Sequence, residues 1–305
     1  MIIVPIIYYL VIKPLSFLPL RVLYLFSDMA FFFLWYIFPY RKKVVLQNLQ
    51  ASFPGKTSSE LEETARKFYR HFSDIIVETI KAFSISKQEL LERFPCRNPE
   101  ILTELYRSGT SIVGITAHYG NWEWAALAIG IYAPHITGGI YHPLKNKFLN
   151  RKIEKSRSRF GLHLIPYQNI QSFYKKFKNK PVFVGYIADQ TPINPRRCYW
   201  THFLNQDTPV FLGPERMAKA LNHAVLYGKI TKIKRGKYEL EFEIITTTPE
   251  EEPPYYITEK HLRILENQIV TQPEYWLWTH RRWKRKRPEN AKHTAGRKTS
   301  PQNLG

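Results

Sequence analysis

Cysteine is nearly missing from this chain: 305 residues hold only Cys96 and Cys198, with no CxxC or Cys/His spacing. That argues against a disulfide framework or a structural zinc site, and leaves two reduced packing residues. Acidic residues are scarce as well: 25 Asp and Glu stand against 45 Lys and Arg, a net charge of +20. A chain so basic suits an anionic partner such as lipid headgroups, nucleic acid or an acidic carrier protein. No serine or cysteine sits in a nucleophile elbow, so a covalent acyl-enzyme is not indicated. Residues 40–280 contain no Pro- or Gly-rich linker and no internal repeat, which fits a single domain. No small-residue cleavage site follows a basic n-region, so no removable signal peptide is expected. The 44% hydrophobic and 15% aromatic content excludes a disordered, solvating protein.

Residues 1–40 differ sharply from the rest. Positions 2–12 read IIVPIIYYLVI and positions 22–38 read VLYLFSDMAFFFLWYIF, and neither run reaches the ~20 apolar residues that span a bilayer. Asp28 at the centre of a spanning helix would cost about 2.5–3.5 kcal/mol. Pro5, Pro14 and Pro19 are expected to break up any single long helix. Trp35, Tyr36 and Tyr40 followed by Arg41, Lys42 and Lys43 favour membrane contact with the basic side in the cytoplasm. A spanning helix, two interfacial helices and a buried hairpin all remain open.

From residue 41 onward the pattern is that of an α/β fold. Phe68, Phe72, Ile75, Ile76 and Ile80 recur at helical spacing, and Ser58 or Ser59 is placed to cap that helix. Short apolar runs at 111–117, 138–141, 162–165 and 182–187 read as strands. They alternate with helical stretches at 122–132, 148–160 and 169–178, as in a sheet with helical crossovers. Residues 224–234 and 237–247 read as a hairpin about Arg235-Gly236, and 258–270 as a helix ended by Pro273. The sequence divides into an N-terminal membrane-associated segment (1–40), a catalytic domain (41–287) and a basic tail (288–305) expected to be disordered.

The piece that carries chemistry is Ala117-His118-Tyr119-Gly120-Asn121-Trp122-Glu123-Trp124. A histidine leaves the end of an apolar strand, where sites form in α/β sheets, and a glutamate falls in the first turn of the next helix. On one continuous helix, positions five apart are separated by about 140° and cannot meet. A bend at Gly120-Asn121 lets Glu123 fold back onto the imidazole. A carboxylate on one ring nitrogen fixes the tautomer, and the other nitrogen can then strip an alcohol of its proton. The spacing alone is weak, and a lone strand-end histidine is often only structural.

Its company points further. The AHYGNWEW segment, with its His-x4-acid core, resembles the catalytic motif of the lipid A late acyltransferases, within the glycerolipid acyltransferase superfamily. Three later stretches match in order: Tyr141-His142-Pro143 with Arg157 and Arg159 following; Ala188-Asp189-Gln190 with Phe203-Leu204 and Gly213-Pro214 downstream; and the closing run from Pro273 through Lys284. His142 stands where the family usually has arginine, and residues 191–195 depart from its pattern. The resemblance covers roughly residues 5–287.

That resemblance implies a glycerolipid-acyltransferase-like mixed sheet flanked by helices. It implies that His118 is the general base and Glu123 its orienting partner, acting on a hydroxyl of a lipid A precursor or related glycolipid. The donor would be acyl carrier protein, with no metal or organic cofactor. Asn121, Arg157, Arg159, Asp189 and Gln190 become candidates for substrate binding, the arginines because guanidinium binds phosphate bidentately. Two apart on a helix, those arginines do not share a face. The implied location is the cytoplasmic face of a bacterial inner membrane, against anionic lipid. A lysophospholipid or aminolipid acceptor, a thioesterase, and a non-catalytic membrane- or nucleic-acid-binding protein are the alternatives. No nucleic-acid motif accompanies the basic runs.

Overall fold

A computed structural model describes residues 3–192, 194 and 198–288; the expected disordered tail lies outside these except for Pro288. Among the described residues eight strands are formed: β1 (Ile112–Thr116), β2 (Ile136–Tyr141), β3 (His163–Pro166), β4 (Val182–Ile187), β5 (Tyr199–Phe203), β6 (Gln206–Val210), β7 (Ala224–Lys234) and β8 (Lys237–Thr246). Six build one sheet in the order β3-β2-β4-β1-β7-β8, and β5 and β6 form a separate hairpin. All neighbours in the sheet are parallel except the β7–β8 pair. The expected α/β mixed sheet is therefore present.

β1 lies between β4 and β7 and is buried over its first four residues. Helices cover both faces of such a strand, which explains its unbroken apolar sequence. Register then decides the site. Thr116 pairs with Ile187 at the carboxyl ends of β1 and β4, and the Ala188 amide donates to the Thr116 carbonyl at 3.1 Å. His118 and Asp189 each follow two residues later, so parallel pairing brings them out side by side at one edge.

The helix Ser58–Lys81 runs along the domain with buried residues repeating at helical spacing, from Leu61 through Phe68 and Ile75 to Lys81. Its cap is Thr57, one residue before the expected serines, in a reciprocal capping box with Glu60. The hydroxyl of Thr57 and the carboxylate of Glu60 each serve the other's backbone amide, which a serine inside the helix could not do.

The N-terminal segment is helical and docks on Ser58–Lys81. Prolines interrupt it less than expected. The first helical stretch continues from Ile3 to Phe17 through a widened π turn at Tyr8–Ile12, which accommodates the carbonyl that Pro14 cannot serve. The chain breaks only at Leu18-Pro19, whose extended backbone separates the two stretches. The second runs from Leu20 to Ile37 and is long and apolar enough to cross a membrane by length and composition. Leu20, Leu23, Ser27, Phe31 and Trp35 form its buried flank. Leu25, Met29, Phe32 and Tyr36 are exposed on the other. Asp28 belongs to neither an apolar face nor an unpaired charge: it meets the Arg235 guanidinium at 2.7 Å in the β7–β8 turn.

Candidate active site

His118 leaves β1 and the chain bends at Gly120, where φ is +60°. A Cβ at Gly120 would lie 2.7 Å from Cγ2 of Ile230, so both the left-handed backbone and the close approach call for glycine. Asn121 then caps the helix Trp122–Tyr132, accepting from the Trp124 amide at 2.9 Å. The expected bend is thus real, but it does not bring Glu123 onto the imidazole. His118 Nδ1 sits 2.8 Å from Oδ1 of Asp189. Glu123 is gripped by Arg157, whose Nε and Nη2 donate to its two oxygens at 2.7–3.0 Å. The parallel register of β1 and β4 explains the exchange of partners: the residue that neighbours His118 across the sheet is Asp189, 71 positions on.

Asp189 is buried, and its other oxygen accepts from the Trp276 indole at 2.8 Å. Burial alone would raise its carboxyl, but the His118 imidazole and the Trp276 donor outweigh that and bring it down to about 2. An ionised Asp189 fixes the proton of His118 on Nδ1 and leaves Nε2 as an acceptor. Gln190 Nε2 lies 3.4 and 3.3 Å from the two ring nitrogens. A position so nearly equidistant at that range is over the ring face, out of line with either lone pair. Trp122 meets the same ring edge-on, with centroids 5.3 Å apart.

The closing segment builds the back of the site. The Gly120 amide donates to the Tyr275 carbonyl at 3.0 Å, and the Leu277 amide to the His118 carbonyl at 3.1 Å. Tyr119 and Trp276 form an antiparallel bridge between these bonds. Asn48 in turn donates to the Trp278 and His280 carbonyls at 2.9 and 3.0 Å. His280 Nε2 accepts from the Thr191 amide at 3.2 Å; burial lowers its pKa to about 4, keeping the ring neutral for that role. Trp276 was read from sequence only as part of a closing signature. Its contact with Asp189 links residues 87 positions apart, which no local pattern reveals.

Two of the expected substrate contacts make hydrogen bonds within the fold. Asn121 is fully buried, and its Nδ2 donates to Oε2 of Glu78 at 2.7 Å. Arg159 donates to the Ala82 and Ile85 carbonyls at 3.1 and 2.8 Å, satisfying acceptors just past the end of the Ser58–Lys81 helix. As expected from their spacing, Arg157 and Arg159 point to different places, and Arg157 is the one near the motif. His142 is exposed and stacks on Tyr167, with ring centroids 5.1 Å apart. Among the described residues no group of three or more His, Cys, Asp and Glu side chains converges as a metal ion would require.

Comparison with known proteins agrees with this architecture. The family described as bacterial lipid A biosynthesis acyltransferase matches residues 2–285. The chain is 22% identical over 252 residues to a lipid A biosynthesis palmitoleoyltransferase of Escherichia coli K12, covering 80% of this chain and 79% of that one. A lipid A biosynthesis acyltransferase of Shigella flexneri gives the same identity and coverage. A lipid A biosynthesis lauroyltransferase of Escherichia coli K12 is 23% identical over 254 residues, covering 82% and 80%. The matched span takes in His118, Asp189, Gln190 and Trp276, and the chain belongs to the bacterial lipid A biosynthesis acyltransferase family, whose chemistry is acyl transfer.

Proposed function

We propose that the protein moves a fatty acyl chain from the thioester of acyl carrier protein to a hydroxyl of a lipid A precursor or related glycolipid. The observation that carries this reading is the His118–Asp189 pair, buried on the Asp side and half-open on the His side, at the carboxyl edge of the sheet. Nε2 of His118 takes the proton as the acceptor oxygen attacks the thioester carbonyl. The resulting tetrahedral species collapses, the carbon–sulfur bond breaks, and the imidazolium returns its proton to the departing thiolate. The products are an ester and a free thiol, so the equation balances without a cofactor. General base catalysis of this kind contributes about 10²–10⁴ in rate.

Glu123 enters this scheme through Arg157. Their bidentate pair joins the first turn of Trp122–Tyr132 to the last turn of Lys147–Arg157, and so sets one wall beside His118. Gln190 and Trp122 pack against the imidazole and hold it in place. In this reading the acceptor approaches His118 from the Nε2 side.

Lipid contact is supported by the exposed apolar flank of Leu20–Ile37 and by Ile6, Leu10 and Phe17 on the first stretch. Lys152 donates to the Tyr9 hydroxyl at 2.7 Å and lies over the rings of Tyr8 and Phe148. Lys13 and Lys155 add positive charge near that hydroxyl, as an interfacial helix facing anionic headgroups requires. The proposal puts the enzyme at the cytoplasmic face of an inner membrane, where an acidic, soluble carrier protein would meet it.

The test is a transfer assay. Purified protein is mixed with carrier protein bearing a labelled acyl chain and a panel of glycolipid, lysophospholipid and aminolipid acceptors. Label should enter the glycolipid, and His118→Ala should lower the rate at least a hundredfold. Label found only as free acid would make the protein a thioesterase, and equal transfer by His118→Ala would remove His118 from the chemistry.

A further inference from the structure

Glu78 has no part in the scheme above, yet it is a fully buried carboxylate with three side-chain donors. The Tyr24 hydroxyl donates to Oε1 at 2.7 Å. Asn121 Nδ2 and the Tyr238 hydroxyl donate to Oε2, each at 2.7 Å. The Glu78 carbonyl also accepts from the Trp124 indole at 3.0 Å. Three of these donors come from three different parts of the chain. Tyr24 belongs to the apolar N-terminal helix, Tyr238 to β8, and Asn121 to the bend three residues after His118.

We propose that Glu78 is a positioning residue that ties the N-terminal apolar helix to the Gly120-Asn121 bend, so that the seating of that helix sets the aim of His118. The path is short and rigid at each step. Tyr24 is followed within the same helix by Ser27, whose hydroxyl donates to Asp74 at 2.7 Å, and by Asp28 on Arg235. Ser27 ties the helix to Ser58–Lys81 and Asp28 ties it to the β7–β8 turn, both independently of Glu78. Only the Tyr24 bond continues through a shared carboxylate to the residue that caps Trp122–Tyr132. Removing a donor from a buried carboxylate leaves lone pairs unserved, and the remaining donors shift to compensate. Asn121 is the partner with a consequence, because its Oδ1 holds the helix N-terminus and its backbone follows Gly120. The N-terminal helix is then part of the support of the base as well as a lipid contact.

The inference leans on the acyl-transfer reading only for its kinetic arm, and a second arm is independent of it. Full-length wild type, Tyr24→Phe and Ser27→Ala are compared in the same detergent micelles. In the transfer assay Tyr24→Phe should lower kcat about tenfold with KM within twofold. Ser27→Ala, which loosens the same helix without touching Glu78, should stay within twofold on both. In parallel, diethyl pyrocarbonate labelling read by peptide mass spectrometry follows the modification rate of His118 against exposed His202. Tyr24→Phe should change the His118 rate at least threefold while leaving His202 unchanged, and Ser27→Ala should change neither. This arm reads the imidazole whether or not the acceptor has been assigned correctly. Equal effects of the two variants, or a His118 rate unmoved by Tyr24→Phe, would overturn the proposal. Failure of wild type to transfer label would instead count against the acyl-transfer reading, with the labelling arm still deciding the role of Glu78.

Discussion

At the scale of single residues, the identity of the group on Nδ1 of His118 decides what the imidazole can do. A carboxylate accepts from Nδ1–H and enforces the basic lone pair on Nε2; an amide can donate instead and reverse the tautomer. Asp189→Asn should therefore keep the fold and the side-chain volume while lowering kcat by about 10³–10⁴. The check is a transfer assay beside a melting curve, with a loss below tenfold assigning the orienting role elsewhere. Sequence reasoning reached His118 and the bend after it, and also picked out Asp189 and Gln190. It gave the orienting role to Glu123 because proximity along the chain is all that a local motif offers. The partner across a parallel sheet becomes visible only when register is known. Asn121 is ambiguous for a related reason: next to a candidate base, a helix cap and a ligand contact have the same spelling.

At the scale of elements, the strands and helices around the site were largely readable. Val182–Ile187 and Trp122–Tyr132 have the predicted bounds, and the β7–β8 hairpin turns where Arg235-Gly236 suggested. These segments are apolar, periodic and bounded by turn residues, so local signals and burial agree. The β5–β6 hairpin was not foreseen. Its turn uses Leu204 and Asn205 with φ of 49° and 62°, and a left-handed leucine carries no turn signal of its own. Leu204 is held there by its burial and by the Glu266 carboxylate, which accepts from its amide at 2.5 Å. The element most exposed to a single change is the bend after β1. Gly120→Ala adds a methyl that meets Ile230 and must also adopt a positive φ, which together should cost more than about 1 kcal/mol. We expect a lower melting temperature and, at temperatures where the variant is still folded, a loss of kcat larger than the loss of KM. Unchanged turnover would mean that the bend does not aim the imidazole.

At the scale of the whole molecule, two features govern what the surface can bind and how the fold responds to acid. One is the uncovered apolar flank of the N-terminal helix. Replacing Leu25 and Phe32 together by glutamate, Leu25→Glu and Phe32→Glu, removes two exposed contacts worth about 1.5–3 kcal/mol each when buried. Partition onto vesicles containing anionic lipid should fall at least tenfold in a flotation assay, with the melting temperature within a few degrees of wild type. Undiminished partition would move lipid contact to another face.

The other feature is a set of buried titratable groups outside the site. His261 is buried in the helix Tyr256–Thr271, and that burial pushes its imidazole down to about 4. The folded chain binds this proton more weakly than the unfolded one, so the contribution is whole above about pH 6.5 and drains as pH falls. By pH 4 the loss from this group alone is about 3 kcal/mol. Glu78 acts in the opposite sense, since burial raises its carboxyl to about 7 and folding then favours its protonated form as pH drops below that. Urea unfolding at pH 7 and pH 4 should separate the two. His261→Gln should shrink the acid loss by a few kcal/mol relative to wild type, and an unaltered difference would assign the acid sensitivity to other groups.

The antiparallel bridge between Tyr119 and Trp276 has a consequence for how the enzyme comes into being. The imidazole is made well before the indole that steadies its carboxylate partner, which lies 158 positions further along the chain. Until that later stretch folds back beneath it, a ribosome-bound chain carries an untuned histidine beside a half-built wall. The pair is therefore complete only once the segment around Trp276 has docked beside Tyr119.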